Sequence, residues 1–347
     1  MKKLFRLLTV ISIFTVFTVG QLSQVHAQSN ALVITPRKDY SLKAGESVQD
    51  TLVVTNRNST EPLNLSLKVI DFEAQDETGS PQLRRNSTDR TPWSLKNYID
   101  APQQVTISPG ETVRVPVTVS MPSATGAGSY YSAIEYAATA PDSDKQVNIS
   151  ASGVTLVFVK VPGQAKELLN FEQFGTFVPA NGGNSGSFAG IFFNSRPKVL
   201  AYRLKNDGNV AEQPNASVII KNFSGKVMYT IGDANAKKQL ALRGQTRRFD
   251  VCIKPEDVTK TTDAGEDINT VVCGDTNFAP GRYSAELTVL YGENGNETRE
   301  INAKAYFWYL PWWFVGLVVL ALLIVAGAGF YTYRRISSFR SRKTRRR

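Results

Sequence analysis

Histidine is all but missing from this 347-residue chain, with one copy at His26, and there are only two cysteines, Cys252 and Cys273. Beyond residue 27 no imidazole remains. That removes histidine-activated nucleophiles, histidine-ligated zinc and histidine acid–base catalysis. No glycine-rich phosphate cradle, Walker motif or dinucleotide fingerprint occurs. Carboxylates cluster at Asp71, Glu73, Asp76 and Glu77 and again at Asp142 and Asp144, but neither spacing matches an oxygen cage such as the EF-hand loop. Both clusters read as solvated, charged loops. The expectation is a chain that is not an enzyme and takes no metal and no cofactor.

Acidic residues are absent from both ends. At the start, Lys2, Lys3 and Arg6 precede an uncharged apolar run from Leu7 to Val19 and a polar stretch closing in Val25-His26-Ala27. This is the three-part layout of a secretory signal peptide, cleaved before Gln28. At the other end, Phe314 to Phe330 carries no charge, and Trp312, Trp313, Tyr331 and Tyr333 extend the run to the ~20 residues a bilayer requires. Together with Trp308, these aromatic residues fit the interfacial belts. Eight basic residues follow, beginning with Arg334 and Arg335, and the positive-inside rule places them in the cytoplasm. Both ends predict a single-pass protein of the cell membrane, with its amino-terminal region outside and the lipid bilayer as a partner.

The net charge of +10 does not indicate nucleic acid. Three of the basic residues lie in the first 27 positions and eight in the tail, which leaves the stretch between close to neutral. The tail reads as a topology determinant and a contact for anionic headgroups.

Between the ends, period-two alternation dominates. Leu63, Leu65, Leu67 and Val69 alternate with Asn64, Ser66 and Lys68, and Val113, Val115, Val117, Val119 and Met121 alternate with more polar residues. Each run predicts a half-buried strand. Pro116 interrupts the second and predicts a sheet edge or a bulge there. Ala44-Gly45-Glu46 and Pro109-Gly110-Glu111 mark turns, and Asn294-Gly295 marks a hairpin. The fold class expected is an all-β ectodomain of two β-sandwich domains in tandem plus one carboxy-terminal transmembrane α-helix. The divisions are a signal peptide at 1–27, sandwiches at 28–163 and 164–310, the helix at 311–333 and the basic tail at 334–347.

Cys252 and Cys273 are expected to pair in an oxidising compartment. Cys252 alternates away from Phe249, Val251 and Ile253, so the bridge should staple the intervening loop, not pin the two sheets together. Aromatic residues supply the candidate binding positions: Trp93, Tyr98, Tyr130 and Tyr131. Such rings either meet a glycan or protein partner or pack within the first sandwich.

The stretch from Trp93 through Val105-Thr-Ile-Ser-Pro-Gly-Glu111, Val113 to Val119, Met121-Pro122 and Gly128-Ser-Tyr-Tyr131 resembles the amino-terminal domain of the WxL-interacting proteins of Gram-positive bacteria. Leu204-Lys-Asn-Asp-Gly-Asn-Val210 and Phe223-Ser-Gly-Lys226 are similar to that family's second half. The resemblance implies two immunoglobulin-like domains, a transmembrane helix, a basic tail and a binding role toward cell-wall polymer or a surface protein. Two functions are therefore expected. One is a cell-envelope binding or structural protein. The other is a membrane-tethered assembly factor that lends a sheet edge to a client strand.

Overall fold

A computed structural model describes residues 32–87, 89–138, 152–180, 185–261, 267–292 and 299–344, with side chains as far as Arg335. The signal peptide, Asp142, Asp144, Asn294-Gly295 and the end of the tail lie outside the described residues. The first half contains β1 (Leu32–Ile34), β2 (Arg37–Ser41), β3 (Ser47–Asn56), β4 (Leu63–Ile70), β5 (Phe72–Ala74), β6 (Pro81–Leu83), β7 (Ile99–Asp100), β8 (Gln104–Ile107), β9 (Thr112–Ser120), β10 (Gly128–Ala138) and β11 (Ser152–Val161). A sheet in the order β1-β3-β9-β7 faces another in the order β2-β11-β10-β4-β8, and β5 pairs with β6 as a separate hairpin.

The second half contains β12 (Leu169–Pro179), β13 (Gly186–Phe188), β14 (Phe192–Phe193), β15 (Val199–Asn206), β16 (Asn215–Asn222), β17 (Val227–Ile231), β18 (Thr246–Cys252), β19 (Pro255–Thr261), β20 (Asp267–Cys273), β21 (Gly281–Tyr291) and β22 (Arg299–Tyr309). Here β13-β12-β15-β18 faces β14-β22-β21-β16-β17, with β19–β20 as a second separate hairpin. The chain is thus two immunoglobulin-like β-sandwiches. The alternating residues fill their interiors: Leu65, Val115, Val117 and Val119 in the first, and Leu200, Val218, Phe249, Leu287 and Phe307 in the second.

Pro116 sits in the third strand of four, opposite Thr51. The flanking strand β7 reaches only Thr118 and Val119, so the far side of β9 has no strand partner at Pro116. The proline therefore occupies a local edge. The Gly-Glu turns share one design. Gly45 and Gly110 adopt φ of 84° and 69°, and Glu46 and Glu111 accept the backbone N–H of Lys43 and Ser108 at 2.7 and 3.2 Å.

Between β1 and β2 the chain passes from one sheet to the other, and a side-chain lock closes that flank. Asp50 on β3 accepts Lys38 Nζ at 2.8 Å and the Tyr40 hydroxyl at 2.9 Å. The Lys38 hydrogen bond leads in holding this carboxyl below its ordinary value. A depressed carboxyl stabilises the fold above the unfolded-state value near 3.8 and loses that contribution as pH falls through the lower, folded-state value. Asp50→Asn is therefore expected to flatten the acid limb of the stability profile below pH ~4, by well under 1 kcal/mol for so exposed a pair. Urea unfolding at a series of pH values measures it, and an unchanged acid limb would contradict it.

Among the described residues the only helix is α1 (Trp312–Thr344). Its segment Trp312–Arg335 is long and apolar enough to cross a membrane, and none of it is buried by the sandwiches. The helix does not stop at Tyr333. No proline or glycine follows Phe330, and basic side chains suit a helix carboxy-terminus.

Candidate functional site

The two adjacent tyrosines of β10, Tyr130 and Tyr131, divide their work. The Tyr130 hydroxyl donates to the carbonyl of Gly126 at 3.0 Å, and Tyr283 does the same to Ala279 at 2.7 Å. Each tyrosine opens a strand two residues after a glycine, Gly128 at φ 148° and Gly281 at φ 152°. The pair forms matching tyrosine corners in the two sandwiches. Tyr130 thus braces a turn. Tyr98 is half-buried beside the first core, with the Arg90 guanidinium 5.1 Å from its ring.

Trp93 and Tyr131 are neither core residues of one sandwich nor free surface. Tyr131 is fully buried, with ring centroids of Phe72, Phe158 and Trp93 at 5.1, 5.6 and 5.7 Å. Leu240, Leu242 and Ala211 of the second domain close over this cluster, and the Arg243 guanidinium lies 5.8 Å from the Trp93 ring. Of the four candidate aromatics, Trp93 and Tyr131 therefore line the seam between the domains, and Tyr131 is withdrawn from any external ligand. Asp71 positions the loop that carries Trp93. Its buried carboxylate accepts the hydroxyls of Ser94 and Ser132 at 2.7 and 2.8 Å.

Two polar contacts flank the aromatic seam. In a strap, Ser129 N–H donates to the Asn209 carbonyl at 2.9 Å, the Asn209 amide to the Ala127 carbonyl at 3.0 Å and Ala211 N–H to the Ser129 hydroxyl at 2.9 Å. Gly128 belongs here, since a Cβ would come within 2.7 Å of the Asn209 carbonyl oxygen.

The clamp lies in the turn of the β5–β6 hairpin. Glu77 accepts Arg248 Nη1 and Arg203 Nη2, each at 2.6 Å, and its carbonyl accepts Arg248 N–H at 2.6 Å. The Arg248 side chain is 3% exposed, lies 4.2 Å from the Phe177 ring centroid and also reaches Asp250 at 2.7 Å. The hairpin thereby covers the outer edge of β18 at Arg248. Three of the four carboxylates expected to be a solvated loop are instead committed, Asp71 to the Trp93 loop, Glu73 to Arg84 at 2.8 Å and Glu77 to the clamp, while Asp76 stays exposed and its carboxylate bonds Thr78 of its own turn. Chain order hid this, because the arginines lie more than 120 residues away from the glutamate they hold.

Most sheet edges are short or covered. β2 runs parallel to β11 over Leu156–Lys160, β1 has three residues and β7 two. β22 differs. All eleven of its residues pair with β21 without a bulge. Its other side meets β14 only at Trp308 and Tyr309. Among the described residues no strand pairs with that side from Arg299 to Phe307. Trp308 N–H points outward to Ile191, so by alternation the N–H groups of Asn302, Lys304 and Tyr306 do too. Two grooves mark the surface, the first mainly polar and the second mainly apolar. One of about 570 Å³ on the first domain is lined by Lys68, Asp100, Gln103 and Gln104, and one of about 320 Å³ lies between the domains beside Arg37, Phe158 and Leu240.

The Cys252–Cys273 disulfide forms, with Cα atoms 5.4 Å apart. It ties the end of β18 to the end of β20 and so staples the β19–β20 hairpin, on the side of the sheet away from the main core. Among the described residues no group of three or more His, Cys, Asp or Glu is placed to hold a metal ion. Of the membrane-belt residues, Trp312, Trp313, Tyr331 and Tyr333 are exposed, as are Arg334 and Arg335, while Trp308 is half-buried and stacks on Phe192 at 6.4 Å.

No protein-family model matches the chain, and no curated protein matches it. Among solved structures it is similar to the class 5 fimbriae chaperone CfaA, at 12% identity and TM-score 0.35 over 81% of this chain and 99% of that one. It is also similar to the Salmonella enterica SafA pilin complex with the SafB chaperone, at 8% identity and TM-score 0.35 over 80% and 97%. The E. coli chaperone DraB aligns at 12% identity and TM-score 0.33 over 70% and 96%. Similarity this low transfers no function, so the conclusion from geometry stands alone: two immunoglobulin-like sandwiches, locked at a seam, joined to one apolar helix.

Proposed function

We propose that this chain is a membrane-anchored protein of the cell envelope that holds an extended segment of a protein partner against the outer edge of β22, as an assembly factor does. The backbone from Arg299 to Phe307, whose outer side pairs with no strand among the described residues, carries this reading, because such an edge offers ready-made hydrogen bonds to an added strand. Only Leu310 and Pro311 separate β22 from α1, so a helix crossing the bilayer would keep that edge close to the membrane, the amino-terminal domains outside and the basic tail inside. The locked seam favours the same use, since a stiff ectodomain presents its edge at a fixed orientation.

Asn302→Pro tests the mode of binding. Asn302 N–H faces away from β21, so proline there removes an outward donor without breaking the ladder. With a photo-crosslinking residue at Tyr306, in native envelope, the parent protein should capture a partner and Asn302→Pro should lose it while melting normally. Undiminished capture by the variant would overturn strand addition. The second reading, binding of cell-wall polymer or a folded surface protein, is favoured by the polar groove at Lys68, Asp100, Gln103 and Gln104. Crosslinks from Gln104, and none from Tyr306, would select it.

A further inference from the structure

The end of the second domain that meets α1 carries apolar side chains that its sandwich does not use. Register identifies that end. Asn222 pairs with Tyr283, Tyr283 with Phe307, and Gly281 with Tyr309. The turn between β16 and β17 therefore lies level with the last residues of β22, just before Trp312.

Two turns project at this level, and both are held rigidly. In the first, β14 runs parallel to the end of β22, with Trp308 N–H donating to Ile191 at 2.6 Å and Leu310 N–H to Phe193 at 2.7 Å. Phe193 turns inward, edge-on to Phe307 at 6.3 Å, which leaves Ile191 and Phe192 outward at 54% and 63% exposure. In the second, the Asn222 side-chain oxygen accepts Ser224 N–H at 3.1 Å, the Ser224 hydroxyl at 2.8 Å and Lys226 N–H at 2.9 Å. Gly225 takes φ 81°, and Phe223 at the tip is 82% exposed. Large apolar groups fixed outward on hydrogen-bonded turns mark an interaction surface.

The neighbouring charges and the chain path indicate what covers it. Arg282 lies 4.4 Å from the Tyr306 ring centroid, Arg196 lies 5.8 Å from that of Tyr309, and Lys226 follows the Phe223 turn. A ring of cationic and aromatic side chains around apolar tips suits an interface with anionic headgroups. The two-residue connection to α1 brings this surface to the point where the helix would enter the bilayer.

Resting on the reading that α1 crosses a membrane, we propose that Ile191, Phe192 and Phe223 insert into the headgroup–acyl boundary beside the helix. The second domain then has three attachments to the bilayer and cannot pivot freely on α1. This fixes the direction in which β22 presents its edge.

The test uses the full chain in phosphatidylcholine–phosphatidylglycerol vesicles with Cys252–Cys273 oxidised. An environment-sensitive fluorophore is placed by Ile191→Cys, Phe192→Cys or Phe223→Cys, by Val319→Cys within the helix, and by Val33→Cys on the first domain. The three turn labels are expected to shift to the blue and to lose fluorescence when doxyl groups are carried near the headgroups, as the helix label does with deeper doxyl groups and the Val33 label does not. Quenching at Val319 with turn labels that behave like Val33 would overturn the insertion and leave the anchor standing. An unquenched Val319 label would remove the anchor itself. A blue shift without doxyl quenching would place protein, not lipid, against the patch and would also overturn the proposal.

Discussion

Tyr131→Ala is expected to lower the stability of the full chain by about 3–5 kcal/mol, the cost of emptying a large, fully buried aromatic site. Tyr131→Phe is expected to be neutral or slightly stabilising. The ring packs against Phe72, Trp93 and Phe158, and so supports the first domain and the seam together. Its buried hydroxyl makes no hydrogen bond within the described residues, and deleting an unsatisfied polar group removes a desolvation cost. Burial is also the leading cause of the upward shift in its pKa, so the phenol stays neutral through the ordinary alkaline range. Denaturant unfolding of the two variants in detergent, followed by tryptophan fluorescence, separates these outcomes. A Tyr131→Ala protein that unfolds like its parent would return this ring to the surface and to partner binding.

Glu77→Ala should cost about 2–3 kcal/mol, somewhat less than breaking a fully buried ion pair, because Glu77 and Arg203 each keep about a quarter of their surface in water. Arg248 does not share that exposure. Burial pushes its guanidinium pKa down, but hydrogen bonds to Asp250 and Glu77 more than offset this, so it stays charged and needs its partners. The loss should appear as faster hydrogen exchange in the β5–β6 hairpin and along β18, and as a wider range of interdomain angles in small-angle scattering. Adding Arg248→Met to Glu77→Ala should recover part of the stability, since the unpaired buried charge has gone. Unchanged exchange at β18 in Glu77→Ala would show that the strap and the aromatic seam hold the domains without the clamp.

The alternating strands were legible because a half-buried strand writes its own two-residue period. Val113 to Met121 and Tyr283 to Tyr291 fold as that period requires. The second tyrosine corner was also legible, since Gly126-x-Gly128-x-Tyr130 and Ala279-x-Gly281-x-Tyr283 repeat one spacing. Tyr130, for which both a partner contact and packing or bracing within the first sandwich are expected, is a turn brace. The β19–β20 hairpin was less visible, because its residues are mostly polar and exposed and carry little core pattern.

By itself, the sequence determined whatever depends on neighbours along the chain: strand periods, glycine-bearing turns, the cysteine side that faces off the core, and a helix apolar enough for a bilayer. These features follow from backbone geometry and solvent preference, which act over a few residues. Only the tertiary structure decided that Trp93 and Tyr131 close a seam, that Glu77 clamps two arginines and that β22 keeps an open edge. The first two depend on how the two sandwiches meet, and the third on which strands pair within the second. Both are set by packing between residues more than a hundred positions apart, where an exposed strand and a covered one share the same alternation.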